Sequence, residues 1–218
     1  MRAILNGLGA AVHRVKQSRE GGGSTFAWHA LVLTALVLGG APVRDAVAAK
    51  APARAGAPRA DSATVLALLD GVANRACPLP GVATGGQPGA AHLRSLARAG
   101  YHVVVDMRTS AEPRGFDEPG ATRTAGLRYV TIPVGYDGFD DALFATFRAT
   151  MRDAAPRGVF VHCASGNRVG AAMIPWLVLD RGWELERAVA AAHAGGLRNA
   201  EIEDLARDYV VRQRRAKR

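Results

Sequence analysis

Only two cysteines, Cys77 and Cys163, occur in the 218 residues, too few for the disulfide framework of a small secreted scaffold. No cysteine and histidine spacing suits zinc, no glycine-rich nucleotide loop is present, and no internal repeat appears. Long apolar runs are missing as well: residues 30–38 are apolar but short for a membrane span, and Gly39, Gly40 and Pro42 interrupt the run. Acidic residues are scarce overall, giving a formal net charge of +9. The imbalance sits at the ends. Residues 61–211 carry fifteen basic against seventeen acidic side chains, whereas residues 1–60 carry eight against two and residues 212–218 add five more basic ones. A near-neutral centre excludes a nucleic-acid-binding face on the folded part, and no nucleic-acid partner is expected.

The basic N-terminus has the layout of a targeting segment. Arg14, Lys16 and Arg19 precede residues 21–43, which lack Asp, Glu, Lys and Arg, and Ala46, Val47 and Ala48 supply a small-x-small cleavage site. Residues 1–49 are therefore expected to direct export to the periplasm with cleavage near Ala48, or to remain as an anchor tethering the protein to the inner membrane. Residues 50–60, KAPARAGAPRA, form a linker with nothing apolar enough to pack. Residues 61–211 make the folded domain, and residues 212–218 a solvated basic tail whose alternative role is weak attraction to anionic lipid.

Within the domain, Asp61 or Ser62 is placed to cap a short helix over residues 64–69. Two prolines break residues 77–81, and a short strand from Val82 leaves through a glycine turn. Residues 90–99 have helical spacing, with Gly100 where a helix C-terminus wants positive φ. A buried strand over 101–107 ends at Asp106 and Arg108; a polar, turn-rich stretch over 112–125 holds a short helix after Pro119; a strand comes next, over 127–134. Asp140 caps a helix through Leu143, Phe144 and Phe147. After the strand Val159, Phe160, Val161, a helix begins near Arg168, meets a kink at Pro175 and ends by Gly182. A further helix spans 185–194, and Asn199 caps the last, through Ile202, Leu205 and Tyr209. This pattern predicts a single α/β domain: a central, largely parallel sheet of four or five strands with helices on both faces.

The chemistry concentrates in residues 158–170, GVFVHCASGNRVG. A strand, a tight loop and a helix in succession bring backbone N–H groups and the positive end of a helix onto one anion. Cys163 opens the loop, where such surroundings favour the nucleophilic thiolate. Arg168 closes it with a planar fork suited to two oxygens of a tetrahedral oxyanion. Gly166 lets the backbone turn inward without a side chain in the anion's place. Arg108, at the C-terminal end of its strand, is a candidate substrate or loop-orienting residue; the competing reading is a salt bridge to Asp106 or Glu112.

HCASGNR resembles the signature of the cysteine-dependent tyrosine and dual-specificity protein phosphatases. The ordered series GGQP at 85–88, VVDMR at 104–108, GLRYVTIPV at 126–134 and HCASGNR at 162–168 is similar to the bacterial beta-lactamase hydrolase-like, phosphatase-like branch. It covers about 82–197. The resemblance implies a protein tyrosine phosphatase-like fold and phosphoester hydrolysis without metal or organic cofactor, on a phosphoprotein or a small phosphoester. It makes Cys163 the nucleophile, His162 the residue that orients the loop, Arg168 the clamp, and Ala164, Ser165, Gly166 and Asn167 the phosphoryl cradle. It sets Gln87 beside the loop, as a supporting residue or simply part of a glycine turn. It calls for a general acid after the strand over 127–134, where Asp137, Asp140 and Asp141 are available; Asp140 caps a helix, leaving Asp137. It also brings Cys77 near the loop, where oxidation would join it to Cys163.

Two features depart from the phosphatase signature. Four residues, not five, separate Cys163 from Arg168, which is similar to the rhodanese loop, and Val169 stands where phosphatases carry a serine or threonine. The alternatives are thus a sulfurtransferase carrying a persulfide on Cys163, or a module that holds an anion without turning it over.

Overall fold

The alternation of short β-branched runs with amphipathic stretches resolves, in the computed structural model, into five strands and seven helices within the described residues, 59–216. The expected export signal or anchor and most of the linker lie outside them. In chain order the elements are α1 (Ser62–Leu68), β1 (Ala76–Leu79), β2 (Val82–Gly85), α2 (Ala90–Arg98), β3 (Val103–Asp106), α3 (Glu118–Thr124), β4 (Arg128–Thr131), α4 (Asp141–Ala154), β5 (Val159–His162), α5 (Asn167–Leu179), α6 (Leu185–Ala194) and α7 (Ala200–Ala216).

The strand order is β1-β2-β5-β3-β4, with β1 antiparallel to β2 and every other pair parallel. β5 is central, and all four of its residues are buried. A strand covered on both faces needs side chains for two cores, and the alternation supplies them. Val103, Val105, Val159 and Val161 face α4–α7 together with Phe144, Phe147, Ile174, Trp176 and Ile202. Val104 and Phe160 face α1–α3 with Val65, Leu69, Leu93 and Leu96. The predicted two-sided α/β architecture is what the chain forms.

Local expectations hold where a named chemical group makes them. Asp61 accepts from Thr64 N at 2.7 Å, Asp140 from Leu143 N at 2.7 Å and Asn199 from Ile202 N at 3.2 Å, capping α1, α4 and α7. Gly100 has φ +85°. The helix expected from Arg168 past Pro175 is α5, which carries Pro175 inside it and ends at Leu179. Two expectations need correction. Residues 77–81, read as a stretch broken by two prolines, overlap β1, which runs from Ala76 to Leu79; Pro78 is tolerated because β1 is an edge strand, where a missing N–H leaves no partner inside the sheet. The last helix continues through Ala216, and Arg212 on it pairs with Asp141 at 2.6 Å, so residues 212–216 are helical and not a frayed end. No helix of the described residues is long and apolar enough to cross a membrane.

Candidate active site

The C-terminal end of β5 delivers His162 and Cys163 into a loop that closes within four residues at the start of α5. Gly166 is the residue before the helix and has φ +88°, a conformation that side chains with a Cβ rarely adopt. A Cβ there would also lie 2.3 Å from Gly195 O. The chain is thereby drawn in tightly, and Gly166 N donates to Cys163 Sγ at 3.1 Å. Cys163 is 1% exposed, at the base of the loop.

Arg168, in the first turn of α5, is almost fully buried. Nη1 donates to Glu112 Oε1 at 2.7 Å and to Val134 O at 2.8 Å, while Nη2 donates to Glu112 Oε2 at 2.6 Å. A guanidinium has five N–H donors, and these bonds use three. Nε is buried without a partner, and with the remaining Nη2 proton it forms a free edge able to meet two oxygens of an anion side by side. Glu112 first, and then the Cys163 sulfur, hold the guanidinium charged against the burial that opposes it. The Cys163 sulfur and the free edge of Arg168 thus act on one small space.

Glu112 was not singled out for a site role by its sequence, only as a partner for Arg108. It receives both terminal nitrogens of Arg168, Thr109 N at 2.8 Å and Arg108 Nε at 3.3 Å. The hydrogen bond from Arg168 leads the interactions that pull its carboxyl down to about 2 from an ordinary 4.5. A carboxyl lowered on folding stabilises the folded state above its unfolded value, and that contribution disappears as pH falls through the folded one. Between pH 4.5 and pH 2, thermal melting of the native chain is expected to fall more steeply than that of Glu112→Gln. Parallel slopes over that window would contradict the assignment.

Arg108 stands behind Glu112. Its Nη1 donates to Gln87 Oε1 and its Nη2 to Pro113 O at 2.7 Å. The guanidinium is engaged with protein groups at each nitrogen, so the salt-bridge reading of Arg108 is the one observed, with Glu112 as the partner. Gln87 Nε2 passes the chain of bonds to Glu118 Oε2 at 2.8 Å, and Gln87 N donates to Ala164 O at 3.2 Å. Gln87 therefore supports the loop from beside it.

His162 is fully buried, its ring stacked on Phe160 with centroids 5.6 Å apart. Its Nδ1 is 3.4 Å from Cys163 O and its Nε2 is 2.8 Å from Glu118 Oε1. Beside it, Asp106 Oδ2 accepts from Arg114 Nη2 at 2.6 Å and from Tyr129 OH at 2.5 Å. Asp106, Glu118 and His162 bring ligand-type atoms within 4.8 Å of one another. A metal does not fit them: the positive charge is already Arg114's, whose Nε is also 3.6 Å from Glu118. Glu118 and Arg114 gave no sequence signal, and Asp106 only one as a partner for Arg108, because a buried ion is intelligible only with its partner in view.

The remaining residues of interest lie at the mouth. Asp137 is exposed on a short helical turn, Tyr136–Gly138. Its neighbour Tyr136 puts its ring 5.8 Å from the Arg168 guanidinium carbon and accepts from Asn167 Nδ2 at 3.3 Å. That contact brings the turn carrying Asp137 up to the loop. Ala164 and Ser165 are exposed, with their carbonyls engaged outward by Gln87 N and by Asn74 Nδ2 at 2.8 Å. Asn167 does not face an anion with its amide: Oδ1 accepts from Arg198 N at 2.9 Å and Asn199 N at 3.2 Å. Cys77 is not a partner for Cys163. It sits on edge strand β1, packs in the cluster on the α1–α3 face, and burial pushes its thiol up to about 11; Cys163 belongs to the opposite cluster, and both are free. Two strands away and across the sheet, Cys77 is out of reach.

Residues 80–213 match the family model described as DSP-PTPase phosphatase fused to NAD+ kinase. Beta-lactamase hydrolase-like proteins from two strains of Xylella fastidiosa are 31% identical over 120 residues, 53% of this chain and 27% of theirs, so the chain spans about a quarter of the length of those curated relatives. Among solved structures, a DUF442 protein of Shewanella putrefaciens CN-32, described as a candidate phosphatase, aligns with TM-score 0.58 and 19% identity, over 67% of this chain and 97% of that one. Tk-PTP in its active form aligns with TM-score 0.56 and 18% identity, over 64% and 97%. The match runs through the loop, the strand that feeds it and the helix that leads away from it, and the chain belongs to this DSP-PTPase branch of the cysteine-dependent phosphatases.

Proposed function

We propose that the protein hydrolyses phosphate monoesters, carried on a phosphoprotein or a small molecule, through a phosphocysteine intermediate. The observation that supports this best is the free edge of Arg168, buried beside the Cys163 sulfur with its Nε unpartnered. An orphaned buried donor carries a cost unless a ligand meets it, and a tetrahedral oxyanion does so with two oxygens at once.

In the first step the Cys163 thiolate attacks phosphorus, forming an S–P bond as the P–O bond to the alcohol breaks. The Asp137 carboxyl gives its proton to the departing oxygen. In the second step the Asp137 carboxylate takes a proton from water, whose oxygen attacks phosphorus; the S–P bond breaks, returning the thiolate and releasing inorganic phosphate. Arg168 and the loop amides hold the equatorial oxygens through both steps. His162 fixes the strand end from which Cys163 departs.

The second step is expected to be the slower. Val169 is buried and apolar, and it offers no hydroxyl to the departing sulfur. Acid-quenched mass spectrometry during turnover of an aryl phosphate is expected to find a phosphoryl group on the peptide containing Cys163. Turnover with that peptide always unmodified would count against the intermediate. Asp137→Asn is expected to slow alkyl phosphates by about a hundredfold and activated aryl phosphates far less, since only a poor leaving group needs the proton. Equal effects on both would remove Asp137 from the role.

The same four-residue loop and Val169 favour a second reading, in which Cys163 carries a persulfide sulfur between a donor and an acceptor thiophile. That sulfur is smaller than a phosphoryl group and needs no hydroxyl to leave.

A further inference from the structure

Asn74 lies in the turn between α1 and β1 and has φ +50°, the one positive φ outside glycine among the described residues. Asparagine tolerates that conformation better than most side chains, and residues held there mark functional sites when their surroundings fix them. Here the surroundings do. Gly86 N donates to Ala73 O at 2.7 Å, tying the turn to the exit of β2. A Cβ on Gly196 would come within 2.8 Å of Asn74 Cβ, so the side chain is wedged against the α6–α7 connection. From that place Asn74 Nδ2 reaches 91 residues along the chain to donate to Ser165 O at 2.8 Å.

The consequence lies in the planarity of the peptide unit. In a trans peptide the carbonyl and the next N–H point to opposite sides. Gln87 N draws Ala164 O outward, which turns the N–H of Ser165 inward; Asn74 draws Ser165 O outward, which turns the N–H of Gly166 inward. The inward turn of Gly166 is visible directly, because its N lies 3.1 Å from Cys163 Sγ.

We propose that Asn74 is a positioning residue of the anion cradle: by holding the Ser165 carbonyl away from the loop, it keeps the Gly166 amide aimed where the Cys163 sulfur and a tetrahedral oxyanion meet. The inference rests on the proposed function only in taking that oxyanion to be phosphate; it does not require turnover.

The test is inorganic phosphate binding by titration calorimetry to the native chain, Asn74→Gly and Asn74→Asp, with a melting curve for each. Glycine accepts the same φ while deleting the amide, so Asn74→Gly is expected to melt with the native chain and to bind phosphate about tenfold more weakly. Asn74→Asp sets a carboxylate oxygen against the Ser165 carbonyl and is expected to bind more weakly still. In an aryl phosphate assay kcat/KM falls by the same factors. Phosphate affinity unchanged in Asn74→Gly overturns the proposal, as does a large drop in its melting temperature, which would make the role structural. A native chain that binds no phosphate overturns it together with the cradle. A native chain that binds phosphate but releases none from an ester removes the hydrolase reading alone, and the ranking of the three affinities still decides the role of Asn74.

Discussion

Arg168→Lys is expected to lower kcat/KM toward an aryl phosphate by about a thousandfold. The substitution keeps the charge and loses the fork, and the structure explains why the fork matters. Arg168 divides its donors between two tasks: its far end grips Glu112 and Val134 O, and its side edge stays open beside Cys163. A lysine ammonium has three donors on one nitrogen and cannot present two parallel N–H groups to an anion while holding a carboxylate behind it. Glu112 would then turn a poorly paired carboxylate toward the space an anion must enter. Steady-state kinetics with a Glu112→Gln, Arg168→Lys double variant checks this. If Glu112 repulsion is part of the loss, the double variant is less impaired than the sum of the single effects. A thousandfold loss that is strictly additive would place the whole effect in the missing fork.

Gly166→Ala is the second change with a large expected effect. Its Cβ would meet Gly195 O at 2.3 Å, and the residue has φ +88°. Neither conflict is relieved by moving a flexible side chain, because the obstacle is backbone. A cost of about 3 kcal/mol is expected from strain and overpacking together, lowering the melting temperature of a domain this size by about 10 °C. Activity measured well below that temperature is expected to fall by about a hundredfold as well, since the Gly166 amide and Cys163 Sγ are separated by the movement. A variant that melts normally and remains active would show that the loop has room the structure denies it.

The fold and the reacting pair were legible because their signals are local. The run from Val159 to Val161, the glycine that must turn, and the Asp140 and Asn199 caps each depend on residues a few positions apart. Glu112 was half-visible: its spacing to Arg108 suggested a pair, but Arg168, the partner that matters, lies 56 residues on. Asp106 was half-visible in the same way, its side-chain partners being Arg114 and Tyr129, while Glu118 and Arg114 were invisible. β1 was hidden by Pro78, because only the finished sheet shows that the strand lies at an edge. The pairing of Cys77 with Cys163 failed on the face of the sheet, which the spacing of two cysteines does not encode.

Phosphoryl chemistry at Cys163 is decided most directly by one experiment: the reduced full chain and its Cys163→Ala variant, assayed side by side with an aryl phosphate and with thiosulfate plus cyanide. Hydrolysis through Cys163 predicts phosphate release that disappears in Cys163→Ala, with no thiocyanate above background. Thiocyanate formation dependent on Cys163, without phosphate release, would contradict it and make the short loop a persulfide cradle.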